Sequence, residues 1–237
     1  MRTAFVSFAS TNMSPKPLER IRQEAHQMEF FDEIHCMTEH NLDQDFLNKH
    51  LDWMSRIHQR GFGGWIWKSQ CVKQVLSNLK DGDALVYADA GCVLNKEGLP
   101  RLKEYIQMAL DSPHKNVSFA IGYPERHWTK ADVFQALNYT DYDTTQLVGG
   151  IFVLIKTPEI TDLVHRWNHY CQQYNLIGDF PSYYQNDVTF QDHRHDQSIF
   201  SILRKQFGTV TLSDETWWPE KWDLNKHYPI HARRMKG

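Results

Sequence analysis

No excess of basic residues marks this chain: Lys and Arg number 26 against 29 Asp and Glu, a formal net charge of −3. A nucleic-acid binder ordinarily carries a basic face, so that class is set aside. The four cysteines, Cys36, Cys71, Cys92 and Cys171, stand far apart with no C-x-x-C pair. Neither a zinc ribbon nor a disulfide scaffold is indicated, and reduced thiols in a cytosolic protein fit best. Long hydrophobic runs are missing too. The longest, Leu147 to Ile155, holds nine residues, against the ~20 needed to span a bilayer. No basic amphipathic helix demands a membrane, so any contact with one is expected to be peripheral, at its inner face. Met1 to Phe8 is too short and too polar for a signal sequence and reads as a first strand. No G-x-G-x-x-G follows that strand, and Trp67 stands where a P-loop needs Gly before Lys68. Repeats, low-complexity tracts and a dividing linker are all lacking, so the 237 residues read as one large α/β domain.

Periodicity supplies the elements that are there. Thr3 to Ala9 reads as a strand, Leu18, Ile21, Ala25 and Met28 recur at helical spacing, and Phe30 to Thr38 gives a second strand. Helical character runs from Leu42 to His58, and Trp67, Cys71, Val75 and Leu79 form a stripe leading into Ala84 to Ala88. That last run is short, apolar and β-rich, the pattern of a strand buried on both faces. Further on, Leu99 to Ala109, Lys130 to Leu137, Ile160 to Tyr174 and Ile199 to Phe207 read as helices; Val117 to Ile121, Leu147 to Ile155 and Val210 to Leu212 read as strands. The opening is β-α-β, the start of a Rossmann-like sheet.

Chemistry concentrates at four places. The buried strand ends in Asp89-Ala90-Gly91-Cys92. A carboxylate at the carboxyl end of such a strand, backed by small residues, stands where ligands bind in open α/β sheets. Alone, it is equally at home as a turn residue or helix cap. Gly61-Phe62-Gly63-Gly64-Trp65-Ile66-Trp67-Lys68 offers a flexible glycine turn and a lysine at a helix start, where a cation helps to hold a diphosphate. Gly149 and Gly150 sit inside the Leu147 to Ile155 strand, where glycine marks a bulge or a close backbone approach. Asp196 stands in the N-cap position of the last helix, with His193, Arg194 and His195 before it. Such a density of titratable groups is typical of a cleft. The tail adds Trp217, Trp218 and Trp222, a surface for sugar rings or an apolar lid, and a closing His231-Ala232-Arg233-Arg234.

In combination these segments resemble GT-A-type nucleotide-sugar glycosyltransferases, above all bacterial capsule and lipopolysaccharide enzymes. The likeness rests on Gly63-Gly64-Trp65-Ile66-Trp67-Lys68, Tyr87-Ala88-Asp89-Ala90-Gly91-Cys92 and Arg194-His195-Asp196-Gln197-Ser198. It implies a single GT-A domain with a mixed, mostly parallel central sheet flanked by helices. Residues 1–95 would form the nucleotide half, and 96–237 the donor-sugar and acceptor half, with the tail closing the site. It further implies a nucleotide-sugar donor, UDP-linked by preference, and a saccharide or glycolipid acceptor. Phe8, Ala9, Ser10, Trp67, Lys68, Asp89 and Arg233 would bind the nucleotide. Gly149, Gly150, His195, Trp217 and Trp218 would face the donor sugar and acceptor, and Asp196 and Gln197 would be catalytic. Asp89 and His231 would hold a divalent metal, Mn²⁺ or Mg²⁺. One departure stands out: Gly91 replaces the second acid of Asp-x-Asp. A metal would then draw on Asp89, the diphosphate, water and His231, with Lys68, Arg233 and Arg234 as the alternative source of charge.

The Asp-Gln pair resembles retaining members of that fold, in which Asp196 orients the sugar; in an inverting enzyme it would be the base. A nucleotidyltransferase would carry glycines and an arginine between Ser10 and Lys16, and this stretch holds neither. A non-catalytic sugar-binding module has no use for a nucleotide cleft. A glycoside hydrolase needs two placed carboxylates, and Asp89 with Asp196 meets that requirement on paper.

Overall fold

The chain alternates strands and helices, and a computed structural model describes residues 1–11, 16–56 and 60–235. Asn12, Pro15 and the His58 end of the second helical stretch lie outside those residues. The elements in order are β1 (Thr3–Phe8), α1 (Lys16–Gln27), β2 (Glu33–Met37), α2 (Gln44–Met54), the single turn α3 (Arg60–Gly64), α4 (Ile66–Asn78), β3 (Ala84–Ala88), β4 (Val93–Leu94), α5 (Leu99–Asp111) and β5 (Asn116–Pro124). Then follow α6 (Glu125–Trp128), α7 (Ala131–Ala136), β6 (Thr145–Leu147), β7 (Ile151–Ile155), α8 (Pro158–Cys171), α9 (Tyr174–Ile177), α10 (Asp196–Phe207), β8 (Val210–Ser213) and β9 (Ile230–His231).

Seven strands make one mixed sheet, ordered β2-β1-β3-β7-β5-β6, with β8 on β5. β1, β2 and β3 run parallel, β7 is antiparallel to β3 and β5, β6 is antiparallel to β5, and β8 is parallel to β5. All strands but β6 and β7 therefore point one way, as the mostly parallel expectation has it.

Strand β3 lies at the centre and all five of its residues are buried. Successive side chains face opposite sides of a sheet. Leu85 and Tyr87 accordingly join the layer built with α4, α8 and α10, where Trp167 stacks on Phe200 at 3.9 Å. Ala84, Val86 and Ala88 join the opposite layer with α1 and α5. The carboxyl ends of β1 and β3 and the amino end of β7 consequently open at one edge, where a parallel sheet presents its ligand site.

Two sequence expectations change. The single strand over Leu147 to Ile155 is two, because the chain leaves β6 before Gly149-Gly150 and enters β7 after it. The tail carries a strand the sequence does not show: β9 pairs with β4, Val93 opposite His231 and Leu94 opposite Ile230, in a small second sheet.

Candidate active site

Construction of the site begins at the glycine turn. Gly61, Phe62, Gly63, Gly64 and Trp65 all have positive φ, at 61°, 53°, 82°, 71° and 61°. This is a full left-handed turn, which costs roughly 1–2 kcal/mol for each residue bearing a side chain. Tryptophan indoles hold it: Trp53 Nε1 donates to Gly63 O at 3.0 Å and Trp67 Nε1 to Gly61 O at 3.0 Å. A Cβ on Gly63 would lie 2.9 Å from Met54 Cα. The turn is thus packed and locked, not the flexible loop that three glycines suggest. It reverses the chain so that α4 starts beneath the sheet edge, with Trp67 and Lys68 in its first turn.

Lys68 joins the distant motifs. Its Nζ lies 3.1 Å from Asp89 Oδ1 and 3.0 Å from Asp196 Oδ2, and donates to Gly149 O at 3.3 Å. The Lys68 and Asp196 side chains are only 3% and 4% exposed, whereas Asp89 is 40% exposed and faces the cleft. Tyr87 Oη donates to Asp89 Oδ1 at 2.8 Å and fixes its rotamer. Burial raises the Asp196 carboxyl to about 6, against the pull of Lys68 and with the push of Asp89. Burial alone would lower Lys68, but the facing Asp196 and Asp89 outweigh it and keep the ammonium charged.

The two glycines between β6 and β7 make this convergence possible. A Cβ on Gly149 would lie 2.6 Å from Gln197 Cβ, and one on Gly150 would lie 2.5 Å from Asp89 Oδ2. Gly149 N donates to Gln197 Oε1 at 2.9 Å, and Gln197 Nε2 donates to Gln146 Oε1 at 2.6 Å. Gln197 therefore pins the strand break to the start of α10. Asp196 is the first residue of α10 and not its cap; His195 precedes it with φ 53° and ψ −121°. Non-glycine residues are strained there, and from the first turn of α10 the Asp196 carboxylate meets Lys68. Asp179 holds His195 through Nε2 at 2.9 Å and takes a two-pronged bond from Arg60 at 2.6 and 3.2 Å. Against partial burial, Arg60 and His195 keep the Asp179 carboxyl low, at about 2. His195 itself is lowered by burial, with Asp179 opposing.

A cleft of two lobes surrounds these groups. One, about 940 Å³, is walled by Phe8, Ala9, Ser10 and Trp67, with Phe8 stacked on Trp67 at 4.0 Å. The other, about 660 Å³, holds Lys68, His195, Asp196 and Trp217. Asp89, Gly150, Gln197, Trp65 and Arg234 border both. A separate cavity of about 480 Å³ beside β2, lined by Arg22, His35 and Gln74 among others, shares none of these residues.

Three expected residues stand elsewhere. His231 Nε2 lies 3.2 Å from the carbonyls of Asn225 and Tyr228, and its ring packs on Trp222 at 5.5 Å, because pairing with β4 turns it into the small sheet. Trp218 stacks on Tyr228 at 4.5 Å in that same cluster, and the Arg233 guanidinium lies 5.0 Å over Trp222. None of the three borders either lobe, and neither does Gly149, which Gln197 covers. Arg234, and not Arg233, borders both lobes. Sequence reasoning also missed Arg60 and Asp179, which carry no local motif and find each other only through the fold.

An implied divalent metal can be tested against these donors. Asp89 and His231 do not face a common point, and the described residues contain no cluster of three or more His, Cys, Asp or Glu able to hold a metal ion. The expected pair therefore does not fit a protein-held cation. No helix among the described residues is long and apolar enough to cross a membrane.

Scanning against family models gives no match for the chain, and a search of curated protein sequences gives none. Solved structures do match. A glycosyltransferase involved in glycosylation of the major capsid of PBCV-1 superposes with a TM-score of 0.55 at 7% identity, covering 98% of this chain and 92% of that one. Mouse xyloside xylosyltransferase 1 superposes at 0.50 and 10% identity, covering 98% and 96%. At such identities the likeness concerns the fold, and the chain has the GT-A glycosyltransferase fold.

Proposed function

We propose that this protein transfers a sugar from a nucleoside-diphosphate donor to a hydroxyl of a saccharide or glycolipid acceptor. The observation that carries the reading is the meeting of Asp89 and Asp196, from the end of β3 and the start of α10, on one Lys68 ammonium at 3.1 and 3.0 Å between two lobes of one cleft. The stacked Phe8 and Trp67, with Ala9 and Ser10, suit a flat base in the larger lobe. Asp89 then meets the ribose and diphosphate at the junction. Gly150, Asp196, His195 and Trp217 suit the donor sugar and the acceptor beyond it, with Gly149 behind them against Gln197. Within that arrangement residues 1–95 supply most of the nucleotide site and 96–237 most of the sugar site, with the tail bordering both.

Transfer requires a departing diphosphate whose charge is stabilised while the sugar carbon becomes cationic. Retention is the stereochemistry we favour. A general base must reach the acceptor hydroxyl, whereas the Asp196 carboxylate is 4% exposed and paired with Lys68. Asp196 then orients the donor sugar, and Gln197 holds the glycine pair against it. Hydrolysis fits less well, since it needs one protonated acid and one free carboxylate across the bond, and here a single ammonium lies between the two. A UDP-sugar donor and a role in surface polysaccharide synthesis, in the cytoplasm or at the inner membrane face, follow from the resemblance of the motifs. The test is a thermal-shift screen with UDP, GDP and CDP, followed by transfer assays on saccharide acceptors and NMR of the product's anomeric proton. Stabilisation by one nucleotide and a product of unchanged anomeric configuration are expected; a chain that responds to no nucleotide sinks the reading.

A further inference from the structure

Gly91 occupies the position of the missing second acid, and the tail packs closely against it. The tail crosses directly over it. Met235 N donates to Gly91 O at 2.8 Å, and a Cβ on Gly91 would lie 3.3 Å from Arg234 Cα. A side chain at this position would press on the strap that carries Arg234, which would have to give by a few tenths of an ångström.

Arg234 is held in place by more than that contact. Its residue adopts φ 55°, which a side-chain-bearing residue reaches only when its surroundings impose it. Pairing of β9 with β4 anchors the strap three residues earlier, at His231. The guanidinium lies 4.9 Å over the ring of Trp217, a cation–π geometry that limits its freedom without neutralising it. Neither a carboxylate partner nor any hydrogen bond occupies its fork among the described residues, unlike Arg60, Arg101 or Arg2. It borders both lobes, at the junction beside Asp89. An exposed arginine that is pre-placed, unpaired and set in a cleft is suited to a doubly charged oxyanion, which its planar fork can meet with two bonds.

We infer that Arg234, presented by the tail strap over Gly91, is the residue that binds the donor's diphosphate, and that nucleotide binding by this chain needs no divalent cation. The inference rests on the transferase reading and assigns the charge that the reading leaves unassigned. Lys68 cannot supply it, since its ammonium is already shared by two carboxylates. Arg233, its neighbour in sequence, faces the other way over Trp222 and serves as the contrast.

The experiment measures UDP binding by calorimetry to the full chain, with GDP and CDP alongside, once in EDTA and once in Mn²⁺. Equal affinity in the two buffers, within about twofold, is expected. Arg234→Ala should weaken binding about 10- to 100-fold in both, the range for losing charged hydrogen bonds. Arg233→Ala should change it by less than about threefold, with both variants melting like the parent. The inference is overturned if EDTA abolishes UDP binding to the parent chain, or if Arg234→Ala binds as the parent does. A parent chain that binds no nucleotide in either buffer overturns the transferase reading itself, and this inference with it.

Discussion

The two lobes of the cleft meet at Asp89 and differ in the walls that lie beyond their shared border. The larger is walled by buried aromatics, Phe8 and Trp67 among them, and braced by a left-handed turn that indole hydrogen bonds hold shut. The smaller is walled by charge: Lys68, Asp196, Arg60, Arg194 and His195, several of them buried and tied into ion pairs. The first kind of wall recognises by shape and stacking, and its residues act through packing. The second acts through fields that strengthen as water is excluded. A substitution in the aromatic lobe should therefore change affinity and stability together, and a substitution in the charged lobe should change turnover with little effect on affinity.

Asp196→Asn breaks this contrast most severely if the charged lobe is catalytic. The amide keeps the shape and leaves Lys68 with Asp89, but removes the anion that faces the developing positive charge. Turnover at saturating donor should fall about 10²- to 10³-fold, the usual loss for one electrostatic group of a transition-state site. The UDP dissociation constant should stay within about threefold, by calorimetry. Lower affinity with unchanged turnover would place Asp196 in binding alone.

Trp67→Phe tests the aromatic lobe and is expected to have a smaller effect. The ring still stacks on Phe8, but the indole N–H that satisfies Gly61 O is gone. Leaving this partly buried carbonyl without its donor costs about 1 kcal/mol, the low end for a buried one. Urea unfolding should register that loss, and UDP affinity should fall less than tenfold with turnover unchanged. Unchanged stability would mean that the turn does not depend on this bond.

The same contrast separates what was legible in the sequence from what was not. Phe8, Trp67, Lys68 and Asp89 sit at strand ends and a helix start, where hydrophobic periodicity stops and a polar residue must face solvent or ligand. Asp196 was legible by its place before a helical stripe, but the cap position read for it falls to His195, and no local preference encodes the turn of its carboxylate to Lys68. Choosing Arg233 over Arg234 depended on the direction of the tail, which is set by a two-residue pairing of β9 with β4. So short a pairing leaves no alternation to read, and with it went the placements of His231 and Trp218. The glycine pair was legible as a close approach; that it divides two strands follows only from the side chains of Asp89 and Gln197 pressed against it.

The smallest expected effect is on acid stability, and it comes from buried groups in and behind the charged lobe. His193 is fully buried, its Nε2 lying 2.8 Å from Leu176 O and its Nδ1 without a partner. Burial holds it well below its ordinary 6.5, with the neighbouring His195 and Lys130 adding to the effect and Asp179 opposing. His195 is lowered in the same sense, again first by burial. Below about pH 6.5 the unfolded chain takes up protons that these folded histidines refuse, so stability is lost as pH falls, by up to ~1.4 kcal/mol per unit for each. Asp196 works the other way: raised from 3.8 to about 6, it takes its proton earlier when folded, so it adds stability as pH falls from about 6 to about 4. Two histidines against one aspartate leave a net loss between pH 6 and 5, measurable by urea unfolding at each pH. His193→Gln should make the slope shallower and Asp196→Asn should make it steeper. Equal slopes in all three proteins would mean that these side chains are not held from water in solution, and the low-dielectric character of the smaller lobe would go with them.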